Sequence, residues 1–298
     1  MIPSPPTKSL LIRERLPEMY DRLDPCRLCP RECLAHRMQG EIGECCIADK
    51  ALISSIGLHQ GEEYALSGTL GSGTIFLSGC NLHCVFCQNW EISQTADGQA
   101  ASASDLAAAM LNLQKAGAHN INWVSPTHVV PMLLDGLRMA YENGLSIPLV
   151  YNTGGYDSAE TVSLLDGIVD IYMPDMKYGD SATAKRLSTI DNYVEQNRAA
   201  VQEMYRQVGP LQCNEAGIAY RGLLVRHLVL PGNAANSDAI LDFLDEALPG
   251  PVDINIMDQY RPCYHADTVP NLQRCITELE YRAVVNSAKR KETLRVID

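Results

Sequence analysis

The sequence predicts an α/β protein built on a parallel sheet, and three observations carry that expectation. Six short, apolar segments rich in β-branched residues read as strands buried on both faces. Stretches of helical periodicity separate them. Gly117, Gly144 and Gly209 stand where those helices should stop. Strand and helix in strict alternation imply parallel strands joined by right-handed crossovers. Two closures fit the pattern, a curved, barrel-like sheet and a flat doubly wound one. Both put functional groups at the carboxyl ends of the strands.

The elements follow in order. Residues 1–25 are Pro-rich and charged and read as an arm or short helix over Leu10–Leu23. Residues 26–50 are dense in Cys, Gly and charge, with too little apolar content for a core, so they need a staple such as a metal. Residues 51–73 read as a β-rich connection. The expected domains are therefore 1–50, a Cys-rich metal-binding block with its arm; 51–73, the connection; and 74–298, the α/β unit with a C-terminal helix. Within that unit the expected strands are Thr74–Ser78, Ile121–Ser125, Ile147–Asn152, Ile168–Met173, Leu223–Leu230 and Val252–Met257. Helical patterns cover Asp105–Lys115, Val129–Glu142, Ala159–Leu165, Ala182–Val208 (more than one helix), Ser237–Ala247 and about Leu272–Ser287. Ser104 and Ser237 fit as N-caps, and Ala100–Ala109 reads as an alanine-rich helix.

The chain has 298 residues with 24 Lys+Arg against 36 Asp+Glu, a formal net charge of −12. Phosphate contacts need a basic face, so this balance argues against a nucleic-acid partner. No apolar run reaches the roughly 18–20 residues of a membrane span. The first residues lack the apolar region of a secretory signal, so a cytoplasmic location is expected. In a reducing compartment the 11 cysteines are free or bind metal. They cluster: Cys26, Cys29, Cys33, Cys45 and Cys46 form one group, and Cys80, Cys84 and Cys87 another.

The second group is the most informative. In Cys80-Asn-Leu-His-Cys84-Val-Phe-Cys87 three thiols follow directly on the first buried strand, in a loop at the active face of the sheet. Such a triplet holds three corners of a cubic iron–sulfur cluster. A structural zinc wants four ligands, with His83 or a distant cysteine as the fourth; a reactive thiol loop is the third option. Three ligands leave one iron open, as a catalytic metal site requires.

This loop resembles that of the radical S-adenosylmethionine (SAM) superfamily, and residues 74–260 resemble its partial (β/α)6 barrel. Within the superfamily the chain is most similar to the pyruvate formate-lyase activating enzyme-like subgroup. The matching segments are Phe76-Leu-Ser-Gly-Cys80, Cys87-Gln-Asn-Trp90, Tyr151-Asn-Thr-Gly-Gly155, Asp175-Met-Lys177, Val225-Arg-His-Leu-Val-Leu-Pro-Gly232, Ile256-Met-Asp-Gln-Tyr260 and the N-terminal Cys26-Arg-Leu-Cys-Pro-Arg-Glu-Cys33. The resemblance implies that Cys80, Cys84 and Cys87 ligate a 4Fe–4S cluster whose fourth iron takes the amino and carboxylate groups of SAM. It implies reductive cleavage of the sulfonium C–S bond to methionine and a 5′-deoxyadenosyl radical, which takes hydrogen from a substrate. A one-electron donor such as flavodoxin or ferredoxin is implied as partner. Phe86 holds the place of an aromatic against the adenine.

At the second strand end the family often carries Gly-Gly-Glu; here Trp123-Val-Ser-Pro-Thr-His128 stands instead, so the carboxylate for the methionine amino group is missing. Ser125 and Thr127 are the candidates to replace it. Asn152, Thr153 and Gly154 resemble the family element after the third strand. Asp175 and Lys177, two apart, share one face of the fourth, and are expected near the cofactor carboxylate or in a mutual salt bridge. Arg226, a charge inside an apolar strand, needs a partner: the cofactor or an acidic side chain. His128, Gln259, Tyr260, Arg261 and His265 are candidates to shape a substrate pocket.

In the first cysteine group, Cys26, Cys29, Cys33 and either Cys45 or Cys46 supply four thiolates, suited to structural zinc or an auxiliary iron–sulfur cluster. Arg27, Arg31 and Arg37 make this the basic patch of an acidic chain, either a docking surface for an acidic partner or solvated charge. Three functions follow: an activase abstracting hydrogen from a glycyl-radical partner enzyme, a radical enzyme modifying a small molecule or short peptide, and a non-catalytic iron–sulfur or zinc module.

Overall fold

The computed structural model describes residues 3–297. Helix α1 (Pro5–Asp21) opens the chain, followed by the irregular cysteine-rich segment. Strand β1 (Ala51–His59) and the one-turn helix α2 (Tyr64–Ser67) then lead into β2 (Ser72–Leu77). After the second cysteine group come α3 (Trp90–Thr95), β3 (Gln99–Ala101) and α4 (Ala103–Lys115). The alternation continues with β4 (Ile121–Val124), α5 (Val130–Glu142), β5 (Leu149–Thr153), α6 (Ala159–Ser163) and β6 (Ile171–Pro174). Two helices, α7 (Ser181–Ser188) and α8 (Tyr193–Val208), precede β7 (Gln212–Cys213) and β8 (Ala219–Leu228). The chain ends with α9 (Ser237–Ala247), β9 (Val252–Met257), α10 (Glu278–Ala288) and β10 (Leu294–Ile297).

The fold is α/β with one mostly parallel sheet in the order β10-β9-β8-β6-β5-β4-β2-β1-β3, β7 pairing with β8. From β2 to β10 each neighbouring pair is parallel; β1 runs antiparallel to both β2 and β3. This order settles the closure. Parallel strands are added in sequence order without a reversal, so right-handed crossovers place the helices on a single face. The other face is left as a concave interior, the geometry of a partial barrel. The sheet stays open, ending on β10 and β3.

Strand alternation sorts the side chains between the two faces. Leu77, Trp123, Tyr151, Tyr172 and Val225 point to the helices and join the main core. Val150, Ile171, Met173 and Leu224 point inward and pack on Leu66 of α2, which plugs the interior from below. The plug is held by the Asn120 amide, which donates to the Leu66 carbonyl at 2.9 Å. On the outside, α1 docks through Ile12, Met19 and an ion pair buried at both ends, Lys8 Nζ to Asp170 at 2.6 Å. No helix among the described residues is long and apolar enough to cross a membrane.

Several boundaries differ from expectation for local reasons. The cap of α4 is Ser102, not Ser104, because Asp105 completes a capping box with it. The cap of α9 is Asn236, not Ser237. Residues 99–101 extend on β1 rather than starting the alanine-rich helix. Helix α10 starts at Glu278, where Thr277 and Glu280 form a second capping box, and not near Leu272.

Candidate active site

One cavity of about 400 Å³ opens at the carboxyl ends of the strands and runs down into the concave interior. Cys80, Cys84 and Cys87 line it together with Phe86, Ser125, Asn152, Thr153, Gly154, Asp175, Lys177, Arg226 and Gln259. Residues far apart in sequence meet here because alternate positions of neighbouring strands share the inner face. Asn152 follows Val150, Asp175 follows Met173 and Arg226 follows Leu224.

The cysteine loop leaves β2 through Gly79, at φ +80°, where a Cβ would lie 2.4 Å from the Cys45 carbonyl oxygen; only glycine fits. Each sulfur has a hydrogen-bonding neighbour. The Leu82 N–H donates to Cys80 Sγ at 3.4 Å, the Ser188 hydroxyl to Cys84 Sγ at 3.1 Å, and the Ser93 hydroxyl lies 3.2 Å from Cys87 Sγ. Burial pushes the Cys80 thiol up to about 12, and Cys84 beside it adds to the rise; Cys87 is raised by burial and by Cys84. Three sulfurs gathered in one loop are suited to a shared cationic centre, since metal binding displaces their protons. The described residues contain no group of three or more His, Cys, Asp or Glu set for a single metal ion. A tetrahedral zinc needs its sulfurs about 3.8 Å apart, at Zn–S distances of about 2.3 Å; a cubane, whose cysteines each take a separate iron, spreads them further. The trio is not set for a lone ion, and three cysteines are the donor set of a cubane with one open iron. No fourth cysteine lines the cavity.

Phe86 is buried edge-on to Tyr178 and Tyr260, with ring centroids 6.3 and 6.1 Å away. Ser125 sits at φ +59°, a costly conformation for a serine, and its N–H donates to the Asn152 carbonyl. At Gly154 a Cβ would lie 2.3 Å from Leu82, so the glycine lets β5 approach the cysteine loop. Lys177 pairs with Asp175 at 2.5 Å. Burial works against its charge, but Asp175 and Cys84 outweigh it and hold the ammonium above the ordinary lysine range.

Other candidates lie elsewhere. Thr127 is buried behind the cavity and donates to Asp157, which also accepts from Tyr151 and Thr153. Burial raises the Asp157 carboxyl. Tyr260 is buried and spends its hydroxyl on the Leu272 carbonyl; His265 stacks on Tyr264. Neither they nor Arg261 line the cavity. His128 is buried, with Nε2 2.8 Å from the Ser78 carbonyl, so that nitrogen carries the proton. Burial drives its pKa down to about 4. The unfolded chain takes up that proton near pH 6.5, so stability should fall as pH drops from about 6.5 to 4, by up to about 3 kcal/mol from this group. His227, also buried and lowered, acts in the same direction. Melting temperatures at pH 7 and 5 check this: His128→Gln should lose less on acidification than the parent chain.

Sequence reasoning missed the cavity floor. Arg226 meets an acidic partner, and it meets two: Nε donates to Glu63 at 2.8 Å, and Nη2 pairs with Glu62 and Glu63. Asn255 donates to Glu63 at 2.7 Å, and His59 lies 3.2 Å from Glu62. Burial opposes ionisation of Glu63, yet Arg226 and Asn255 together hold its carboxyl below the usual range. Both glutamates belong to the stretch read as a plain connection. A lone arginine in an apolar strand was the available signal, because Glu62 and Glu63 are the only acids in residues 51–73.

Of the expected basic patch Arg27, Arg31 and Arg37, the first is exposed and the other two turn inward. Arg31 donates to the carbonyls of Asn81, Leu82, Ser188 and Thr189, clamping the cysteine loop. Arg37 is buried.

The Radical SAM superfamily model matches residues 74–209. The chain is 32% identical over 274 residues to the uncharacterized protein MJ0674 of Methanocaldococcus jannaschii, covering 89% of this chain and 74% of the relative. Among solved structures, HydG, a maturase of the FeFe hydrogenase, aligns with a TM-score of 0.49 and 14% identity, over 78% of this chain and 53% of HydG. Methylornithine synthase (PylB) aligns with a TM-score of 0.46 and 14% identity, over 74% of this chain and 63% of PylB. The chain thus spans less than two thirds of either structure.

Proposed function

Because the chain belongs to the radical SAM superfamily, we propose that it cleaves SAM at Cys80, Cys84 and Cys87 and abstracts hydrogen from a small polar molecule or short peptide held in the cavity. Cys80, Cys84 and Cys87 would hold a 4Fe–4S cluster, which would supply the electron for cleaving the sulfonium C–S bond. The chain's own groups do the rest by binding and exclusion. Lys177 offers a fixed cation to a carboxylate, with Asp175 maintaining its charge. Ser125 and Asn152 present polar atoms where the missing Gly-Gly-Glu carboxylate would stand. Phe86 presents an aromatic ring. The Leu66 plug closes the interior against water, which protects a reactive intermediate.

The observation that carries this reading is the convergence of three cysteines, without a fourth, on the cavity that also collects the polar strand ends. The charged floor of Arg226, Glu62 and Glu63 favours a polar small molecule or a short peptide over a broad protein surface. The second reading, activation of a glycyl-radical partner, rests on the motif resemblance. Anaerobic reconstitution with iron and sulfide, then reduction with dithionite in the presence of SAM, should yield methionine and 5′-deoxyadenosine, with an EPR signal that shifts when SAM is added. Absence of both products overturns the proposal. A glycyl-radical doublet appearing in a co-expressed partner selects the second reading.

A further inference from the structure

A second group of sulfurs lies outside this cavity. Cys33 Sγ and Cys45 Sγ lie 3.3 and 3.6 Å from the point where a side chain at Gly43 would begin, and Arg37 Cδ lies 3.5 Å from the same point. Cys26 Sγ is 3.8 Å from Arg37 Nη1. Cys29 neighbours Cys26 and Cys45. Cys46, at φ +66°, has Glu44 as its neighbouring charge.

Arg37 supplies the independent observation. It is 1% exposed. Nε donates to the Ala48 carbonyl at 2.8 Å and Nη1 to the His128 carbonyl at 2.9 Å, while Nη2 has no partner at all. No carboxylate pairs with it among the described residues. A guanidinium cannot shed its proton, and an uncompensated buried charge costs several kcal/mol. The groups around it able to become anions are the thiols. Metal binding makes them thiolates, and four thiolates on a cluster carry the net negative charge that Arg37 lacks.

We propose that Cys26, Cys29, Cys33 and Cys45 hold a second iron–sulfur cluster, with Arg37 as its buried counter-cation. Zinc fits less well, because no three of these sulfurs are set for one ion, whereas four cysteines on separate irons suit a cubane. The site is built against the first one. The Cys45 carbonyl packs on Gly79, next to Cys80, and the Asn81 side chain reaches Cys29.

The test uses the full chain and is independent of SAM cleavage. A variant carrying Cys80→Ala, Cys84→Ala and Cys87→Ala together, reconstituted anaerobically with ferrous iron and sulfide, should hold about four iron and four sulfide per chain. Adding Cys29→Ser should remove them. Arg37→Met should shift the reduction potential of this cluster downward, since loss of a nearby positive charge disfavours the reduced form. A folded triple variant, judged by circular dichroism, that binds no iron or carries one zinc overturns the cluster. An unchanged potential in Arg37→Met overturns the counter-cation.

Discussion

Replacing Cys84 by alanine is expected to take SAM cleavage to background, a loss of ~10³-fold or more in 5′-deoxyadenosine formation, equivalent to about 4 kcal/mol of barrier. The sulfur removed is one of three, and no other cysteine lines the cavity to replace it. The fold should survive. Cys84 accepts from the Ser188 hydroxyl and faces the Tyr178 hydroxyl, and these two bond each other at 2.6 Å, so neither is orphaned. The stability cost is then within about 1–3 kcal/mol. Product chromatography and iron analysis check both halves: the variant should lose about four iron per chain and keep those of the N-terminal cysteines. Undiminished 5′-deoxyadenosine would remove Cys84 from the site.

The second large effect concerns stability. Arg226→Met should destabilise the chain by about 3–5 kcal/mol, because it leaves Glu62 and Glu63 buried without their cation. The pH dependence should also reverse. In the parent chain Glu63 is held below its unfolded value, so its contribution is present at neutral pH and is lost as pH falls through the folded pKa. In the variant, burial, the largest influence on Glu63, is opposed only by the Asn255 and backbone hydrogen bonds, so Glu63 is expected to rise above its unfolded value. Its contribution is then best at acid pH and is lost as pH rises. Urea unfolding at pH 5 and pH 8 measures this: the gap between parent and variant should be widest at pH 8. A gap independent of pH would mean that Arg226 acts through packing alone.

What could be read from the sequence follows from what burial imprints on it. Val252–Met257 and Ser237–Ala247 were foreseen to the residue because a strand covered on both faces and a one-sided helix leave clear periods. Strands β3, β7 and β10 escaped, and β1 was read only as part of a β-rich connection. Their residues are half exposed or few, and their place in the sheet is decided by neighbours rather than by their own pattern. The cysteine loop was legible because metal ligation restricts residue type and spacing together. Thr127 and Tyr260 were misplaced for the opposite reason: position near a strand end does not say which face a side chain takes. Arg37 is the extreme case, an arginine in a polar segment buried between its own cysteine-rich stretch and the distant His128 carbonyl.

The underside of the cavity belongs to a stretch that precedes the first parallel strand, since Glu62 and Glu63 and the Leu66 plug all come from the short run between β1 and β2. Under the proposed function, the cysteine loop that would generate the radical and this part of the floor that would meet its target come from separate lengths of polypeptide. Exchange of the run between β1 and β2 would then alter the floor while leaving the three cysteines in place.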